Sequence, residues 1–152
     1  MEPTREPPCI TDGPDGQRRL WVSGWYRIRP QTFEHFELFF DRSGISLAFA
    51  EESYKSFLLR RDGRLQEAED VGRRHVGTPA DELLDNERSF RIPLTDVSRF
   101  RIKAGSLLCN PRFVVETDEK DHEFYHQSRT YDVDELAALL DEFYPDVPTI
   151  ET

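Results

Sequence analysis

Residues 78–127 read TPADELLDNERSFRIPLTDVSRFRIKAGSLLCNPRFVVETDEKDHEFYHQ, and residues 132–146 read DVDELAALLDEFYPD. These two stretches decide the fold. Phe90, Ile92 and Leu94 alternate with Arg91 and Pro93, the two-residue period of a strand. Pro93 has no amide proton to give a ladder, so this strand belongs at a sheet edge or bend. In Val97 to Lys103, Phe100 and Ile102 alternate with Arg99, Arg101 and Lys103, giving one apolar and one basic face. Phe113 and Val115 continue the meander, Asp118 to Asp121 makes a turn, and His122, Phe124 and His126 alternate with Glu123 and Tyr125. Val133, Leu136, Leu139, Leu140 and Phe143 then fall on one helical face, and Pro145 stops the helix. Thr78 is an N-cap, Pro79 takes the first helical position and Asp81 has the capping-box spacing, so a short helix anchored by Leu83 and Leu84 precedes the meander.

Outward from this core, residues 1–19 read as a flexible leader, since Met1 to Gln17 carries four Pro and two Gly. Residues 20–147 form a single domain and residues 148–152 a flexible tail. WVSGWYRIR alternates imperfectly, Phe33 to Phe40 is rich in aromatics, and both read as strands. Asp41-Arg-Ser-Gly44 is a turn whose glycine suits a positive φ, and Ile45, Leu47 and Phe49 form the hairpin partner. Between Glu51 and Val76 charged residues dominate, and two short helices crossing one sheet edge are expected.

The segment IPLTDVSRFRIKAGSLLCNPRFVVET with the terminal DVDELAALLDEFYP resembles the prokaryotic pleckstrin-homology-like (PH-like) and GRAM-like domains. There a hydrophobic-Pro-hydrophobic-x-Asp-hydrophobic strand, a Pro-Arg strand ending in a carboxylate turn, and a closing helix recur. The likeness runs over Thr78 to Pro145 and extends to Trp25 to Phe49. It implies a mainly β (α+β) fold, a strongly bent antiparallel sheet or partial barrel of about six or seven strands closed by a C-terminal helix. Where many members carry a Gly/Ala-rich segment before the linking helix, this chain holds the charged stretch Arg60 to Arg74, which argues against membrane contact.

The 152-residue chain is 37% hydrophobic and 12% aromatic, enough to fill a core. Its net charge of −10 opposes nucleic acid and anionic membranes. No apolar run reaches the roughly 18 residues of a membrane-spanning helix, and MEPTREPPC is no signal peptide, so a cytoplasmic protein is expected. Lysine occurs only at 55, 103 and 120, and this acid-rich, Lys-poor composition fits the high-salt cytoplasm of a halophilic archaeon, as it also fits an Arg-preferring genome. Cys9 and Cys109 have neither metal nor disulfide spacing; both should be reduced, Cys109 the more buried.

The strongest candidate site is electrostatic. Between Arg88 and Arg112 six bases face one acid, so this window carries +5 and the remainder −15 of the net −10. Arg91, Arg99, Arg101, Lys103 and Arg112 are the candidate anion-binding residues, forks suited to carboxylate or phosphate. The alternative is a solvated face paired to acidic neighbours. A second candidate is the mixed strip Tyr54, Phe57, Arg60 and Arg61, which suits a partner surface if exposed and a covered sheet edge if packed. His122 and His126, about 13 Å apart on a strand, are too distant for one metal. Asp118, Glu119, Asp121 and Glu123 lack the glycine and closing glutamate of an EF-hand. The sequence shows no catalytic set, metal site or cofactor motif. The expectation is a non-enzymatic PH-like interaction module binding a protein partner or itself. The alternatives are an acidic lipid head or small anion held by the Arg99/Arg101/Lys103 strand and, more weakly, a hydrolase using His and carboxylate.

Overall fold

The computed structural model describes residues 8–13, 17–30, 32–54, 84 and 87–151. The strands among them are β1 Cys9–Asp12, β2 Arg18–Ile28, β3 Thr32–Asp41, β4 Gly44–Tyr54, β5 Phe90–Pro93, β6 Val97–Lys103, β7 Arg112–Thr117, β8 Asp121–His126 and β9 Thr149–Glu151. The helix is α1, Val133–Phe143. One sheet holds all nine strands in the order β5-β4-β3-β2-β8-β7-β6-β9, with β1 paired to β2 off that path. The protein is mainly β, with a bent, unclosed sheet and one C-terminal helix. β5, the strand containing Pro93, is a terminal strand of the path, where its missing amide proton costs nothing.

The bend originates in β2. Leu20 and Val22 enter the core, and strict alternation would turn Trp25 out. Gly24 intervenes with φ 87°, the one positive φ among the described residues, and shifts the β2–β3 register between Val22 and Trp25. That bulge returns Trp25 to the core and explains the imperfect period of WVSGWYRIR. It also changes the strand's partner. Before it, Trp21 faces Cys9 of β1; after it, Trp25 and Tyr26 face His126 and Tyr125 of β8. Gln127 N donates to Gly24 O at 3.0 Å and fastens β8 to the bulge.

The β3–β4 turn depends on Asp41, whose Oδ1 accepts from Ser43 N at 2.8 Å and Gly44 N at 3.0 Å. Gly44 does not have the positive φ expected of it. Its need for glycine is spatial: a Cβ there would lie 2.5 Å from Ile92 O on β5.

The two halves of the bent sheet enclose an aromatic core. Phe40 packs on Phe100 and Phe113 with ring centroids 6.3 and 6.2 Å apart, and Trp25 lies 5.6 Å from Phe113. Helix α1 covers this core. Asp132 caps it, its side chain accepting from Asp134 N and Glu135 N. Leu136 and Leu140 are buried, as expected. Leu139 and Phe143 are only partly buried, and Ala137 and Tyr144 take the inner positions. The inward stripe follows 133, 136/137, 140 and 144, one residue off the sequence expectation at its C-terminal end.

Pairing extends beyond the domain limits read from sequence. β1 lies within the expected leader, and β9 lies within the expected tail, running parallel to β6. Residues 51–54, expected to begin a helical segment, complete β4 instead, with Tyr54 opposite Thr32. The rest of the two expected mid-chain helices, and the capped helix from Thr78 to Leu83, lie outside the described residues.

Candidate functional site

The basic strand is β6. Its register places Arg99 opposite Glu116, Arg101 opposite Val114 and Lys103 opposite Arg112, all on the face away from Phe100 and Ile102. Carboxylates from β7 and β8 reach most of these bases. Arg99 forms a two-pronged pair with Glu116. Arg101 lies 3.2 Å from Glu116 and 3.4 Å from Asp121. Arg112 Nε lies 2.7 Å from Glu123 Oε1, and Lys103 is exposed. The Arg99 hydrogen bond holds the Glu116 carboxyl below the usual range. Arg91 stands apart on β5, paired to Asp41 at 2.9 Å and to Ser46 Oγ at 2.6 Å. Against the burial that alone would raise it, Arg91 and Ser43 hold Asp41 below the ordinary carboxylate range. The structure therefore gathers four of the five basic candidates on β6 and β7, three of them in ion pairs with carboxylates, and leaves the fifth elsewhere. Of the mixed strip, Tyr54 closes β4, whereas Phe57, Arg60 and Arg61 lie outside the described residues.

Two features had no part in the sequence reading. The first is the loop from β6 to β7. Ser106 N donates to Cys109 O at 2.9 Å, Cys109 N donates to Ser106 Oγ at 3.2 Å, and Arg129 donates to Leu107 O. Asn110 Nδ2 reaches Tyr26 Oη at 3.1 Å. These bonds fix a turn whose tip presents Leu107 at 87% and Leu108 at 90% exposure. Cys109 beside them is exposed, while Cys9 is half-buried against the outer-face cluster of Trp21, Phe39 and Ala48, reversing the expected order. Adjacent leucines between Gly105 and Asn110-Pro111 were a usable signal, because a short loop offers no core for both.

The second is a cleft of about 390 Å³ lined by Arg27, Ile28, Arg29, Lys120, Asp121, His122, Glu123 and Tyr125. It opens where β2 and β8 part, their pairing ending at Tyr26. Arg27 Nε and Arg29 Nε both donate to Glu34 Oε1, at 3.0 and 2.8 Å. Arg27 also lies 5.0 Å from each of the Phe36 and Phe90 rings, and His122 stacks on Phe90 at 5.6 Å. Burial first, then the charges of Lys120 and Arg27, lower the His122 pKa.

His126 and His35 are held by hydrogen bonds within the fold, and His75 lies outside the described residues. His126 accepts from Ser128 N at Nδ1, 2.9 Å, so Nε2 carries the proton and donates to Ser23 O, 3.1 Å away. Burial lowers its pKa to about 4, so it is neutral. His35 Nδ1 meets Gln127 Nε2 at 2.9 Å. In the Asp118 to Glu123 turn, Asp121 and Glu123 face arginines, and Thr117 Oγ1 donates to Lys120 O at 2.6 Å. No protein-family model matches this sequence, and no curated protein matches it either.

Proposed function

We propose that the chain is a non-enzymatic PH-like interaction module that binds a protein partner through the Leu107–Leu108 turn. The observation that carries this reading is the near-complete exposure of both leucines on a turn already fixed by hydrogen bonds. Burying one leucine contributes about 1.5–3 kcal/mol. A turn fixed before contact loses little conformational freedom on docking. The partner therefore offers an apolar pocket for two aliphatic side chains. Supporting the PH-like reading are the bent, largely antiparallel sheet and the helix that follows its last antiparallel strand. β9, which returns parallel to β6, is additional to that pattern. Supporting a non-catalytic role, His126 is engaged by backbone on both ring nitrogens and His35 is tied to Gln127. The chain carries −10, and among the described residues no helix is long and apolar enough to cross a membrane. The alternative of an anion held on the Arg99/Arg101/Lys103 strand is disfavoured by the carboxylates already paired there.

Cys109 provides the test. In a Cys9→Ser background, a photo-crosslinker on Cys109 should capture one protein from native-salt extract, and the purified protein should bind the purified chain. Leu107→Ser/Leu108→Ser should keep the wild-type melting temperature and lose both capture and binding. Equal binding by the double variant would reject the turn as the contact.

A further inference from the structure

Independently of that turn, we infer that the cleft between β2 and β8 binds a phosphate-bearing anion through Arg27, Arg29, Lys120 and His122. The inference starts from unbalanced charge. Arg27 and Arg29 converge on a single oxygen of Glu34, so two guanidinium groups share one carboxylate. Lys120 lines the cleft as well, and its backbone N–H and carbonyl are both held by Thr117 in the β7–β8 turn. The acids on the cleft wall are neutralised from their other side. Asp121 pairs with Arg101 at 3.4 Å, and Glu123 pairs with Arg112 at 2.7 Å. The cleft is therefore a local excess of positive charge in a chain of −10.

Its construction adds direction. Arg27 lies 5.0 Å from each of the Phe36 and Phe90 rings, which are themselves 5.6 Å apart, and these contacts hold its guanidinium at the cleft rather than in bulk water. His122 stacks on the same Phe90 ring, so ring and guanidinium are gathered at one aromatic anchor. Protonating His122 there means adding a cation beside Arg27 and Lys120, opposed by the charge of Asp121. An anion in the cleft removes that conflict and supplies acceptors for the guanidinium forks. A phosphate monoester suits this set better than a single carboxylate, because it offers three oxygens to several separate donors. Charge also sets its position. On the far side of Lys120 and His122 a second cavity of about 290 Å³ is lined by Asp96, Asp118 and Glu119 as well as Arg91, so the anion belongs on the β2 side.

Inorganic phosphate is the first probe. The His122 ring resonances should move on titration with phosphate, and the His122 pKa should rise towards or above 6.5 in its presence. Buried His126 should not respond. Arg29→Gln and Lys120→Gln should each weaken phosphate binding about tenfold, the size expected for one charge-assisted contact. Leu107→Ser/Leu108→Ser should leave it unchanged, so failure here and failure of the partner-binding turn are separable. Sedimentation with phosphatidic-acid vesicles against neutral vesicles identifies the source of the phosphate. Binding lost in the same variants means a lipid head, and phosphate binding without vesicle binding means a soluble ester. An identical His122 response to chloride at matched ionic strength, or undiminished binding in both variants, overturns the site.

Discussion

The hydroxyl of Tyr144, at the C-terminal cap of α1, donates to Gly44 O, 3.2 Å away and 100 residues earlier in the chain. The Asp41 carbonyl lies within reach of the same proton. The Tyr144 ring meanwhile stacks on Phe100 with centroids 6.0 Å apart. One side chain thus joins the helix, the β3–β4 turn and β6. Tyr144→Phe keeps the stack and removes the hydroxyl that the Gly44 and Asp41 carbonyls share. It should cost about 1–2 kcal/mol and lower the melting temperature by several degrees. A calorimetric scan that superimposes on wild type would show the hydroxyl to be energetically idle.

Leu136 is fully buried on α1, in one cluster with Phe100, Val115 and Phe124. Leu136→Asp removes apolar area and buries a carboxylate with no cation beside it. The combined penalty, about 5 kcal/mol or more, approaches the stability of an ordinary domain. The variant should lack cooperative unfolding and near-ultraviolet circular dichroism. A Leu136→Asp protein melting like wild type would mean that α1 does not close the core.

The later strands were legible because most of their inward positions hold large apolar residues at a two-residue period. Phe100, Ile102, Phe113, Val115 and Phe124 are all buried at the predicted parity. β2 was blurred by a single residue, since Gly24 shifts the parity at Trp25 and no local pattern announces a bulge. β1 and β9 are short; β1 pairs with the neighbouring β2, while the pairing of β9 is determined by a partner far along the chain, Phe100 for Thr149. The basic strand misleads for a related reason. Its charges are segregated in sequence but not in space, because Glu116, Asp121 and Glu123 lie just beyond the window and fold back beside it. The cleft was illegible because Arg27 and Lys120 meet only after the sheet bends.

This spatial mixing makes a definite expectation for the triple replacement of Arg99, Arg101 and Lys103 by Gln. The pairs are largely exposed, and such pairs contribute about 0–1 kcal/mol each. Stability should fall modestly, and more at low than at high salt, because Glu116 and Asp121 then repel with nothing between them. Partner binding should survive, while phosphate binding should weaken as Asp121, no longer paired, adds its charge to the cleft wall. Loss of partner binding in a variant that still melts cooperatively would return that role to β6.

His126 gives the fold an acid limit above the range where carboxylates titrate. In the folded chain burial holds its pKa at about 4, against 6.5 when exposed. A second proton would also turn Nδ1 against the Ser128 amide that now donates to it. Above pH 6.5 the ring is neutral in both states and stability is intact. As pH falls below 6.5 the unfolded chain takes the proton first, so stability declines, and the decline from this group levels off below about pH 4. The full effect is about 3 kcal/mol. Half-buried His122, whose pKa is also lowered, acts in the same direction over the upper part of that window. The carboxyls of Glu34 and Asp41, held low by arginine, lose their contribution only at more acid pH. His126→Asn keeps an acceptor for Ser128 N–H and removes the titration. It should be less stable at neutral pH, through loss of the stack on Tyr131 at 3.9 Å, but its stability should fall less steeply from pH 6.5 to 4. Urea melts across that range provide the measurement, and parallel slopes for wild type and variant would exclude His126 as the acid-sensitive group.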